Sequence, residues 1–136
     1  MNVVTSRADF EKLMALRMSE AKLLLDQQDW DGAYYLAGYA VEFAFKVRII
    51  SRLMKSDSFP DRTLAENFYK HNLTLLRKLA DLDEEMTKDV SVKLHWDVVK
   101  DWSEQSRYEV DRKDKDARDL YDAIEKGVLP WIKARW

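Results

Sequence analysis

With 136 residues, 46% of them hydrophobic and 35% charged, no cysteine and a formal net charge of −2, the chain is long enough for one core that takes roughly two thirds of the unfolded surface out of water. The lack of cysteine excludes disulfides and thiolate metal sites, and the near-neutral balance excludes a bulk attraction to nucleic acid, so a polyanion would need a local basic patch. Three glycines and two prolines leave little turn material, which predicts an all-α chain forming a single domain over residues 1–136. With no N-terminal apolar signal, and the longest apolar stretch broken by Glu42, Lys46 and Arg48, a cytoplasmic protein without a membrane span is expected.

Thr5 and Ser6 precede a 3.6-residue apolar pattern through Phe10, Leu13, Met14, Leu16, Leu24 and Leu25, with Asp9 placed as a capping-box-like acid, so a first helix is predicted to about Gln28. Asp29 then caps a second helix that runs to Lys55 and carries one charge, Glu42, between Ala33 and Phe45. Such a helix must sit inside others. Ala33, Ala37, Ala40 and Ala44 give it a narrow stripe for close packing, while Tyr34, Tyr35, Tyr39, Phe43 and Phe45 fill its wider sides. Glu42 stands four residues before Lys46, the favourable order for an intrahelical ion pair.

Pro60 breaks the pattern within SDSFPD (56–61), after which a short helix is predicted over Thr63 to Tyr69 and another capped by Asn72 through Leu73, Leu76 and Leu79. Asp83 is placed as the cap of an amphipathic helix through Met86, Val90, Leu94, Val98 and Trp102. The run DRKDKDARD (111–119) balances its charges and reads as a solvated loop and helix start. A last helix follows through Ala117, Leu120, Tyr121, Ile124 and Val128, where Gly127 and Pro130 predict a kink or a break before an exposed WIKARW tail. Trp131 and Trp136 in that tail are candidate subunit-interface anchors, the other tryptophans core.

The order of these elements, with AGYAVEFAFKVRI (37–49), HNLTLL (71–76) and SRYEVD (106–111), resembles the HEPN domain family. The resemblance spans nearly the whole chain and implies an HEPN-like up-and-down helical bundle of about five helices. It also implies a homodimer of the kind found in toxin–antitoxin pairs, defence systems and RNA processing. Active members of that family are metal-independent ribonucleases in which an arginine is followed, after four to six residues, by a histidine. The histidine moves a proton to activate the ribose 2′-hydroxyl while the arginine holds the phosphate. Here the corresponding positions after Arg107 hold Arg112, Lys113 and Asp114, and His71 lies too far from Arg62.

Candidate ligand-binding residues are therefore Arg107, Tyr108, Lys46, Glu42 and His71, of which Arg107 and His71 are also the catalytic candidates. Arg107 and Tyr108 have two readings: a structural one, with Arg107 paired to Glu42 and Tyr108 bonded across helices, and a phosphate clamp with a stacking ring. His71 either satisfies a neighbouring group or acts as a base or a phosphate donor, and His95 is expected at a surface or interface. Arg48, Arg52 and Lys55 form a basic line that compensates the helix dipole or adds phosphate contacts. No cofactor or metal is called for. The function expected is a non-catalytic module that dimerises and binds RNA, a nucleotide or a partner protein. The alternatives are a metal-independent endoribonuclease toxin and an interaction subunit of a small nucleotidyltransferase.

Overall fold

Ala37, Ala40 and Ala44 are fully buried and Ala33 nearly so, because α2 (Trp30–Met54) runs through the middle of the molecule with neighbours on all sides. In this computed structural model, which describes residues 6–58, 60 and 62–136, every regular element among the described residues is helical. α1 (Arg7–Asp26) packs along α2 and is capped by the Ser6 hydroxyl, which accepts from Asp9 N at 3.1 Å. Thr5 lies outside the described residues, as do Phe59 and Asp61 of the SDSFPD segment. Gln28 turns the chain with φ 61°, and the Asp29 carboxylate caps α2 by accepting from Gly32 N at 3.1 Å.

Beyond Pro60 come α3 (Arg62–Asn67) and α4 (Leu73–Leu79), whose predicted Asn72 cap accepts from Leu75 N at 3.0 Å. The basic line of α2 serves this junction. Arg48 donates to the carbonyls of Ala80 and Arg135, and Arg52 to that of Leu79. Both guanidiniums satisfy helix-end carbonyls, Arg48 from a half-buried position and Arg52 from an exposed one.

The single helix predicted from Asp83 is two. α5 (Asp83–Lys88) has Leu82, not Asp83, at its N-cap, and α6 (Val90–Val99) starts afresh from Asp89. Asp83 instead binds Arg77 at 2.7 Å. Asp89 accepts from Ser91 and from the Trp131 indole at 2.7 Å, which fixes the break. The Asp89 carboxyl is thereby held below its ordinary 3.8, by the bond from the Ser91 hydroxyl first and then by Trp131. A depressed folded-state pKa adds stability above the unfolded value and loses it as pH falls through the folded one. Melting curves from about pH 5 to about pH 2 should therefore show an acid limb that Asp89→Asn flattens; an unchanged limb would overturn this role.

A 3₁₀ turn (Glu104–Tyr108) leads to α7 (Asp114–Ala123). The charged loop between them is not free in solvent. Asp31 accepts from the backbone N–H groups of Asp111 and Arg112, and the Arg112 guanidinium lies 3.5 Å from the Tyr34 ring centroid.

Gly127 and Pro130 do not break the last helix. A π turn (Ile124–Val128) joins α7 directly to α8 (Leu129–Lys133) and absorbs the missing Pro130 donor. Gly127 is required there, since a Cβ would lie 2.2 Å from His95 Cγ. The WIKARW tail is not an exposed anchor. Trp131 is buried, and the Trp136 indole donates to the Ala44 carbonyl of α2 at 3.1 Å. Trp131 is thus part of its own chain's core and Trp136 is half-buried against it. No helix among the described residues is long and apolar enough to cross a membrane.

Candidate functional site

Glu42 and Lys46, both on α2 and one turn apart, are 1% and 4% exposed, a depth at which an unpaired charge is costly. Both oxygens of the Glu42 carboxylate are bonded. Its Oε2 accepts from Lys46 Nζ at 3.1 Å and its Oε1 from His71 Nδ1 at 2.8 Å. Because a carboxylate only accepts, Nδ1 carries the proton, and Nε2 is the ring nitrogen left for a ligand. His71 precedes the Asn72 cap of α4, so the start of one helix is fastened to the centre of another. The Lys46 ammonium also sits 5.4 Å from the Phe68 ring centroid, which adds a cation–π contact.

The side chain of His71 is 43% exposed and lines a cleft of about 570 Å³ with Tyr69, Lys70, Lys100, Asp101 and Glu104. Behind the lining, a ring of α2 supports two of its members. The Tyr39 ring meets His71 edge-on at 5.9 Å and Trp102 at 5.0 Å. Trp102 is anchored by its indole, which donates to the Tyr34 carbonyl at 3.1 Å, and it seats directly against Gly38. Burial first, and then hydrogen bonding with Tyr35, pushes the Tyr39 phenol well above its ordinary range, so it stays protonated at physiological pH. Burial would raise the Glu104 carboxyl as well. Hydrogen bonds from its backbone, Gln105 and Ser103, with His71 nearby, bring it below the usual range instead.

The Arg107–Glu42 pair of the structural reading does not occur. Arg107 projects from the 3₁₀ turn with its guanidinium 4.8 Å from the Tyr108 ring centroid, and Tyr108 is itself exposed rather than bonded across helices. Hydrogen bonding to Tyr108 first, and then to Tyr35, raises the Arg107 pKa further. Tyr35 and Tyr39 stand edge to face at 5.3 Å, so a run of ring contacts links Arg107, through Tyr35 and Tyr39, to His71. With no buried partner, Arg107→Ala is expected to shift the melting temperature by less than about 2 °C; a larger loss would revive the structural role.

Of the five candidates, the fold thus joins Glu42, Lys46 and His71 and leaves Arg107 with Tyr108 as a neighbouring exposed pair. Sequence reasoning missed Trp102 and Glu104 as parts of the cleft, Tyr39 as the ring packed behind His71 and Trp102, and the Gly38 contact that seats Trp102. His95 is half-buried against Gly127, away from this cluster. Ser106, under the turn, is buried with its hydroxyl unpaired among the described residues. No group of three or more metal-ligating side chains occurs among the described residues. No protein-family model, no curated protein and no solved structure matches this chain, so the geometry of the cleft carries the functional reading.

Proposed function

We propose that this chain is a non-catalytic helical module that binds a phosphate-bearing ligand, RNA or a nucleotide, at the His71 cleft. The observation that carries the reading is His71 itself. A buried carboxylate holds its Nδ1, and its Nε2 is left for a ligand beside Lys70 and Lys100. A neutral imidazole offers Nε2 as an acceptor for a ribose hydroxyl, and a protonated one as a donor to phosphate. Tyr108 with its stacked Arg107 supplies a nearby platform for a base and its phosphate. The resemblance to HEPN domains agrees with this ligand class and with a place in a toxin–antitoxin or defence system.

Cleavage needs the proton-moving group and the phosphate-holding cation at one scissile bond. Here His71 and Arg107 have different neighbours, which favours binding over catalysis. The test is a labelled panel of RNA and nucleotides in EDTA, with binding and cleavage followed together for the wild type, His71→Ala and Arg107→Ala. Binding without cleavage is expected, falling about tenfold in His71→Ala and weakening as salt rises. Cleavage lost in both variants would replace this reading with the endoribonuclease. No binding of any probe would leave a partner protein, such as a small nucleotidyltransferase, as the ligand.

A further inference from the structure

The cleft beside His71 carries acids as well as bases. Lys70, Lys100 and His71 suit a phosphate, yet Asp101 and Glu104 line the same cleft, and a carboxylate repels a phosphate at close range. An ionised carboxylate only accepts hydrogen bonds, so its counterpart in a ligand is an edge of N–H donors. Of the two acids, Asp101 is exposed and Glu104 half-buried. The Ser103 hydroxyl accepts from Gln105 N at 3.1 Å and donates to Glu104 Oε2 at 3.3 Å, which orients the carboxylate. Held below the usual range, Glu104 is ionised at neutral pH. Glutamates elsewhere on the surface pair with cations: Glu11 with Arg7, Glu66 with Arg62, Glu85 with Arg135. Glu104 has no ion-pair partner among the described residues, which leaves its charge to the cleft.

Among the common bases only guanine presents adjacent N–H donors, on N1 and on the N2 amino group, that a carboxylate accepts side by side. Adenine and cytosine set an amino group beside a ring-nitrogen acceptor, and uracil sets its N–H between carbonyls, so each turns a lone pair toward the carboxylate. We propose that Glu104 reads the base of the ligand and selects guanine, in a free nucleotide or in RNA. The proposal rests on the phosphate-binding reading of the cleft given above. Lys70 and His71 then take the phosphate and Glu104 the base edge. Tyr69, 73% exposed in the same cleft and set edge to face with Phe68 at 5.3 Å, offers a ring on which the base stacks. At about 570 Å³ the cleft has room for a nucleotide.

Binding titrations of the full chain test this with GMP, AMP and IMP, and with oligouridine RNA carrying a single guanosine, adenosine or inosine. Guanine should bind about 10- to 100-fold tighter than adenine, and the arm that shows the preference separates a free nucleotide from RNA. Hypoxanthine, which lacks the N2 amino group, should fall between them. Glu104→Gln keeps the size of the side chain but donates as well as accepts. It should bring guanine to within about threefold of adenine, with the adenine probes bound no more weakly and the melting temperature unchanged. His71→Ala, by contrast, should weaken every probe alike. Equal binding of guanine and adenine in both arms would overturn base selection and leave the phosphate reading standing. A guanine preference that survives Glu104→Gln, or a loss of affinity for every probe in that variant, would overturn the assignment to Glu104. Binding of no probe would overturn both readings.

Discussion

Glu42→Ala is expected to cost about 3–5 kcal/mol of stability, a drop in melting temperature of roughly 10 °C or more for a chain of this size. The loss comes less from the missing contacts than from what stays behind. Lys46, 4% exposed, keeps its ammonium in the core without a counter-charge, and His71 loses the acceptor of its Nδ1 proton. A double substitution, Glu42→Leu with Lys46→Met, removes both buried charges and should regain most of that stability, since an apolar pair of similar volume avoids the desolvation penalty. It should not regain ligand binding, because His71 is then free to rotate. Thermal melts with titrations of the same RNA probes separate the two effects. If Glu42→Ala melts like the wild type, the buried carboxylate is not what holds Lys46; if the double variant binds normally, Glu42 does not orient His71.

Gly38→Ala should destabilise by about 2–4 kcal/mol, against the roughly 1 kcal/mol that alanine ordinarily gains over glycine inside a helix. The sign follows from space. A Cβ on Gly38 would lie 2.0 Å from two atoms of the Trp102 ring, which cannot yield without leaving a site where it is 3% exposed. Displacing Trp102 also frees its indole from the Tyr34 carbonyl and removes the ring that backs Tyr39 beside His71. Ligand binding should therefore fall with stability, and Trp102→Leu in the Gly38→Ala background should relieve the clash without rebuilding the cleft wall. Circular dichroism melts decide this: a Gly38→Ala variant more stable than the wild type would show that the ring yields cheaply.

Much of this architecture is local and was therefore legible in the chain. The alanine stripe, the caps at Ser6, Asp29 and Asn72, and the Glu42–Lys46 pair depend on residues within one or two turns, where side-chain direction follows from helical geometry. The break at Asp89 was not, because the partner that fixes it, Trp131, lies 42 residues away. Nor was the continuous last helix, since the π turn that accepts Gly127 and Pro130 is stabilised by packing against His95 on α6.

The site divides in the same way. Its residue types, an acid inside an apolar helix, a histidine at a helix start and an arginine–tyrosine pair in a turn, stand in the sequence. Which of them meet was decided by tertiary packing alone. The α2–α4 contact gives Glu42 to His71, 29 residues on, and leaves Arg107 to Tyr108 and Tyr35. Periodicity specifies the face on which a side chain emerges but not the neighbour across a bundle, because that neighbour depends on how helices distant in sequence are set against one another.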